Sequence, residues 1–249
     1  MPLSDQAKTH FGASATLRMK LAPIGDSAVL VTLGEVPDAP TVAAARALVA
    51  ALDAKPLPGF VECAQANASV TVFYDPARIP AGVRESPFER IGRWIESRAL
   101  AAGRIEIPAG RQVTLPVCYG GEFGLDLEAV GAAHGLPGDE VVALHSGAEY
   151  FVSAIGFLPG FPYLRGLPAL LHTPRRKTPR TRVAAGSVAI GGAQTGIYPF
   201  ETPGGWNLIG CTPWRLFNPY SQTPSLLQVG DRVRFRPITP EEYGASRSS

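Results

Sequence analysis

From about residue 104 onward, glycine and proline recur every few positions and helices become scarce. A backbone punctuated this often favours short strands joined by tight turns. Residues 187–190, 206–209 and 232–235 read as such strands. The last alternates, with Val233 and Phe235 inward and Arg232, Arg234 and Arg236 outward. Many short strands with Gly/Pro turns point to a closed β-barrel. Two short helices fit, at 127–134 and 140–145, with Asp126 and Asp139 as caps.

Ahead of that boundary, residues 21–100 alternate strand and helix. Ala28-Val29-Leu30-Val31 reads as strand. Thr41 can cap a helix with Val42, Ala45, Val49 and Leu52 on one face, stopped at 56–59. Val70, Val72 and Tyr74 alternate within 61–74, which is a long strand or a hairpin. Ser86-Pro87-Phe88-Glu89 is a capping box with proline first in the helix, followed by the stripe Phe88, Ile91, Trp94, Ile95. This is a βαβα unit, which a strand at 112–118 completes. The expected class is α+β: a polar, mobile tail at 1–20, a small α/β domain at 21–105, a β-barrel domain at 106–241 and a second tail at 242–249.

Composition removes several functions. The net charge of +2 is too small for nucleic acid or an anionic membrane to be the main partner. Cys63, Cys118 and Cys211 are odd in number and widely spaced, which argues against a disulfide framework or a zinc site. The four histidines, His10, His134, His145 and His172, make no metal pattern, so no metal site is assigned. No apolar run reaches the ~20 residues that cross a bilayer, and no signal peptide is evident, so a cytoplasmic protein is expected. A P-loop, G-x-G-x-x-G and G-x-S-x-G are all missing, so any ATP must be held largely by another architecture or another chain.

Three blocks can carry chemistry. Residues 156–164, with Phe157, Phe161, Pro162 and Tyr163, form either a rigid plug or the wall of a pocket or interface. Residues 174–182 place five cations in nine positions, among them Arg176 and Arg180; this is a solvated loop or an anion site. Residues 185–199 offer glycines whose backbone N–H groups can cradle an anion, with Gln194, Thr195 and Tyr198 adding polar atoms, or simply a tight barrel corner. Pro203-Gly204-Gly205-Trp206 then delivers an indole to a wall. His145 is either a packing histidine or a general base.

Taken together, these blocks resemble a known family. Residues 155–164, Gly186-Ser187-Val188-Ala189-Ile190, Gln194-Thr195-Gly196-Ile197-Tyr198-Pro199, Pro203-Gly204-Gly205-Trp206, Thr212-Pro213 and Gly230-Asp231-Arg232-Val233 are similar to the B subunits of 5-oxoprolinases. That family is also called allophanate hydrolase subunit 1 or the KipI type, with the carboxyltransferase subdomain C/D architecture. The likeness runs over about residues 21–240. Two places depart from it: Cys211 stands where many members have arginine, and Asn67-Ala68-Ser69 replaces a Tyr-Arg-Ser triplet.

The resemblance implies a cyclophilin-like barrel, partner subunits A and C, and ATP-dependent opening of the lactam 5-oxo-L-proline to L-glutamate, with ATP and magnesium shared with the partners. For that chemistry His145, Gln194 and Tyr198 are the catalytic candidates. Arg176, Arg180, Gly192, Gly196 and Trp206 are candidates to bind substrate or phosphate, and Phe157, Phe161 and Pro162 to form the wall. Two other readings stand beside it: docking on a sensor histidine kinase as an inhibitor, and hydrolysis of a urea- or allophanate-type amide. Prolyl isomerisation is an analogy of fold alone.

Overall fold

The computed structural model describes residues 7–11, 15–80, 85–102 and 110–247. The chain divides into two compact units, Met1–Pro108 and Ala109–Ser249.

In the first unit β1 (Ala7–Phe11), β2 (Ala15–Ile24) and β3 (Ala28–Thr32) precede α1 (Ala39–Ala54); β4 (Phe60–Ala66), β5 (Ser69–Tyr74) and α2 (Pro87–Ala102) follow. The strands form an antiparallel sheet in the order β1-β2-β3-β5-β4. Val29, Val31, Val70 and Val72 are fully buried and pack on Leu48 and Leu52 of α1 and Ile91 and Ile95 of α2. Alternation along the strands explains this: Leu30 and Phe73, one residue on, are not buried. The Ser86 capping box forms as expected, with Ser86 N–H donating to Glu89 Oε2 at 2.8 Å and Glu89 N–H to Ser86 Oγ at 3.2 Å.

Several local expectations change. The cap of α1 is Asp38, whose Oδ1 accepts from Thr41 N–H at 2.9 Å; Thr41 lies inside the helix. Residues 61–74 take the hairpin alternative and turn at Asn67, which has a φ of 52°, a left-handed conformation that asparagine tolerates. Residues 7–11 and 15–24 pair as β1 and β2 in the stretch expected to be a tail. Thr16-Leu17-Arg18-Met19-Lys20-Leu21 has period 2, but its charges disguise the strand.

The second unit contains β6 (Gln112–Tyr119), α3 (Leu127–His134), α4 (Gly138–Gly147), β7 (Tyr150–Ile155), β8 (Pro162–Arg165), β9 (Arg180–Val183), β10 (Ser187–Gly191), β11 (Gln194–Ile197), β12 (Thr202–Gly204), β13 (Asn207–Cys211), β14 (Arg232–Pro237) and α5 (Pro240–Arg247). Among the described residues seven strands close into the expected barrel, β7-β14-β6-β13-β10-β11-β8 and back to β7. β6 therefore belongs to the barrel and does not complete the N-terminal unit; it runs parallel to β14 from Gln112 opposite Arg232. Val117, Val188, Ile190, Ile197, Ile209 and Val233 fill the interior, and Val130 and Val141 of α3 and α4 join the same core. β9 and β12 form a separate ribbon. The expected C-terminal tail is instead α5, whose Tyr243 packs over Cys118 and Cys211. Asp126 is the N-cap residue of α3, as expected, but its side chain makes no capping bond; Asp139 sits within α4, whose N-cap is Pro137.

Candidate functional site

The site is built on the outer face of four barrel strands. Val188 and Ile190 point into the barrel; Ala189 between them points out and joins a second cluster with Phe161, Val183, Tyr198, Trp206 and Leu208. The rings meet edge to face: Phe161 lies 5.2 Å from Tyr198 at 81° and 5.6 Å from Trp206 at 87°. Glycine makes room for them. A Cβ at Gly196 would stand 2.8 Å from Phe161 Cζ and 3.0 Å from Trp206, and one at Gly191 or Gly204 would come closer still to Trp206 or Tyr198. The rings frame a cleft of about 310 Å³ lined by Phe157, Phe161, Tyr163, Tyr198 and Trp206, with Pro179 and Pro203-Gly204-Gly205 at its rim and Arg175 and Arg176 as its cations. Phe157 stands at this cleft with a φ of 68° and 63% exposure, a strained backbone for an aromatic residue.

The cations divide by their partners. Asp126, only 4% exposed, accepts from Arg180 Nη1 and Nη2 at 2.8 Å each and from Arg176 Nη1 at 2.9 Å. Leu208 N–H donates to the same carboxylate at 2.7 Å. Burial alone would raise the pKa of Asp126; the Arg180 hydrogen bonds, the Leu208 amide and the two guanidinium charges outweigh it and hold the carboxyl below its ordinary range. Arg175 differs. Its guanidinium lies 5.4 Å from the Trp206 ring centroid, and among the described residues no carboxylate pairs with it.

His145 is on the other side of the barrel wall. Thr195 points inward and Gly196, the next residue on β11, packs against Phe161 and Trp206. The His145 ring is fully buried, stacked on Phe235 at 4.7 Å, with Nε2 2.9 Å from Thr195 Oγ1 and Nδ1 2.9 Å from Tyr119 OH. Thr195 donates its one hydroxyl proton to Ala189 O, so it accepts from His145 Nε2–H, and Nδ1 accepts from Tyr119. Burial drives the His145 pKa down to about 3. A neutral imidazole with both nitrogens engaged inside a core is a packing group.

Of the residues singled out from sequence, Phe157, Phe161, Arg176, Tyr198 and Trp206 line the cleft. Gly196 lies beneath its rings. His145, Pro162, Arg180, Gly192 and Gln194 do not line it. Gly192 N–H, in the glycine turn that could cradle an anion or form a tight corner, donates to Thr173 O at 2.7 Å. Arg175 and Tyr163 also line the cleft; both fall inside the sequence blocks but outside the candidate residues. Nothing in the sequence tells Arg175 from Arg176, since the deciding partner, Asp126, lies about fifty residues away.

The ionisable groups on the cleft lining are Arg175, Arg176, Tyr163 and Tyr198. Burial raises both phenols, with the Arg175 charge opposing it at each. The lining holds no carboxylate or imidazole, so this surface can bind, orient and exclude water but has no group poised to move a proton near neutral pH. Among the described residues there is no group of three or more metal-ligating side chains, and no helix long and apolar enough to cross a membrane.

A family model for the carboxyltransferase domain, subdomain C and D, matches residues 19–227. The chain is 43% identical over 234 residues to the 5-oxoprolinase B subunit of Bacillus subtilis, covering 92% of this chain and 97% of the relative. It is 49% identical over 182 residues to the protein of the same name from Escherichia coli O157:H7, covering 73% and 79%. The crystal structure of TTHA0988 matches with a TM-score of 0.71 at 37% identity over 85% of this chain, which spans 40% of that protein's length. The names of the two curated relatives imply a multi-subunit enzyme complex. With a matching family model over most of its length and relatives this similar, the chain belongs to the 5-oxoprolinase B-subunit family of carboxyltransferase subdomain C and D proteins.

Proposed function

We propose that this chain is the B subunit of an ATP-dependent 5-oxoprolinase that opens 5-oxo-L-proline to L-glutamate together with subunits A and C. The observation that carries the reading is an aromatic-walled cleft with an unpaired guanidinium over its indole, in a chain 43% identical to a 5-oxoprolinase B subunit. A five-membered lactam bearing a carboxylate has a small, nearly flat ring, apolar at its two methylenes and polar at its amide, and one negative charge, which is the chemistry such a cleft accepts.

The lactam is an unstrained amide and a poor electrophile, and ATP supplies a phosphoryl group that activates its carbonyl oxygen. This chain contributes binding. Phe161, Tyr163, Tyr198 and Trp206 hold the ring and exclude water, and the Arg175–Arg176 side carries the positive charge. The described residues offer no metal-ligand cluster, and the sequence has no phosphate-binding loop. ATP and magnesium are therefore assigned to sites that partner subunits complete, as is the proton-transferring group. On this division of labour the chain alone is inactive.

Deleting the gene for this chain from its host tests the reading. The deletion should leave cells accumulating 5-oxoproline and unable to use it as a nitrogen source, with both defects reversed by the wild-type gene. Undiminished consumption of 5-oxoproline overturns it.

A further inference from the structure

We infer that Arg175 is the specificity-determining residue of the cleft, recognising the single carboxylate of a small planar ring that lies among Phe161, Tyr163 and Trp206. The inference rests on the cleft being the substrate site of this chain.

Three arginines come together in the segment 175–180, and two of them are committed. Arg180 meets Asp126 through both Nη atoms and Arg176 through one, leaving that carboxylate saturated by three guanidinium contacts and the Leu208 amide. An incoming anion would have to compete with a buried carboxylate for those groups. Arg175 has no such competitor among the described residues.

The backbone on each side of Arg175 is pinned: Pro174 O accepts from Asn207 Nδ2 at 2.9 Å, and Arg176 N–H donates to Gly205 O at 2.7 Å. The side chain between these anchors is directed over Trp206, 5.4 Å from the ring centroid. A guanidinium resting on an indole keeps its edge N–H groups free, and a carboxylate can take two of them side by side. Arg175 shares the cleft lining with Tyr163 and Tyr198.

About 310 Å³ is at the small end of ligand sites. No aspartate or glutamate lines the cleft, so nothing repels an anion. With one uncommitted cation the fit is to a monoanion, and the edge-to-face rings favour a flat ring over a branched chain.

The test compares the wild-type chain with Arg175→Gln, Arg175→Lys and, as a neighbouring exposed cation, Lys177→Gln, each in the reconstituted complex with subunits A and C. Arg175 is exposed, so its replacement leaves the fold intact, which melting curves verify. Loss of a charge-assisted pair corresponds to a KM for 5-oxoproline raised about 10- to 100-fold, with kcat nearly unchanged. Arg175→Lys should recover part of the loss, and Lys177→Gln should match wild type. Unchanged KM in a folded Arg175→Gln complex overturns the inference and leaves the proposed function standing. If the wild-type complex does not turn over 5-oxoproline, the proposed function fails, and direct binding to the full-length chain, followed by tryptophan fluorescence, judges the inference. It then requires that 5-oxoproline bind at least 10-fold more tightly than 2-pyrrolidinone, the same ring without the carboxylate, and that Arg175→Gln abolish the difference. Equal binding of the two rings, or binding of neither, overturns it.

Discussion

Asp126 and Arg180 form a two-pronged ion pair in which both carboxylate oxygens meet both terminal guanidinium nitrogens at 2.8 Å. The pair ties the residue before α3 to the first residue of β9, and Leu208 N–H, from β13, completes it at 2.7 Å. It holds the arginine segment at the rim of the cleft. Asp126→Ala would leave two guanidinium groups and a buried amide without their acceptor. We expect a loss of about 3 kcal/mol, at the low end for a broken buried pair because both arginines keep some solvent contact. Arg180→Gln should cost more than Arg176→Gln, which removes one hydrogen bond from a more exposed side chain. Urea unfolding of the three variants checks the order; equal stability of Asp126→Ala and wild type would contradict it.

His145 predicts a pH dependence. Its folded pKa is about 3, well below the ordinary value of 6.5. Between those values the unfolded chain binds a proton that the folded chain refuses, so stability is full above about pH 6.5 and falls as pH drops toward 3. The slope is about 1.4 kcal/mol per pH unit from this one group. Asp126, with its lowered pKa, loses its contribution only at more acid pH, below the ordinary carboxylate range. Melting temperatures of wild type and His145→Gln at pH 7 and pH 5 separate the two groups. The variant should be less stable at pH 7 and show a shallower decline; parallel declines would place the acid sensitivity elsewhere.

Gly196 predicts a steric effect. A methyl group there must fit 2.8 Å from Phe161 Cζ and 3.0 Å from Trp206 Cζ3, on a strand that is hydrogen-bonded on both sides. Neither ring can move without disturbing Tyr198 or Tyr163. Gly196→Ala should cost about 1–3 kcal/mol and weaken ligand binding in the cleft more than it lowers stability. A variant that melts and binds like wild type would show that the rings are not close-packed on the strand.

The cysteines should be unreactive in the folded chain. Burial, then the Asp53 charge and hydrogen bond, push the Cys63 thiol up to about 12. At pH 8 about one molecule in ten thousand would carry its thiolate. Burial also raises Cys118, and Cys211 beside it is buried under Tyr243. Labelling with an aromatic disulfide reagent should be slow at all three sites until denaturant is added. Fast labelling of one site in the native chain would contradict this.

Much of the architecture is legible in the residues, and the exceptions have physical causes. The Arg232–Phe235 alternation gives the inner and outer faces of β14 directly, because one face is buried and the other wet. The glycine and aromatic blocks mark the cleft because rings can lie flat on a strand only where Cβ is missing. The N-terminal strands are hard to read because Lys8, Arg18 and Lys20 interrupt their short apolar alternation. The compartment of His145 is hidden because its side of the wall is set by Thr195 and Gly196, on a strand fifty residues later. Charge counting overvalues Arg176 and Arg180 for the same reason: their partner Asp126 is remote in sequence, and its carboxylate looks free for a helix cap.

The most direct test is glutamate release from 5-oxoproline and ATP by this chain mixed with subunits A and C from the same genome, with each chain omitted in turn. Turnover should need all three, disappear when this chain is left out and return when it is added back. Undiminished turnover without it, or none with all three folded and assembled, would contradict its place in a 5-oxoprolinase.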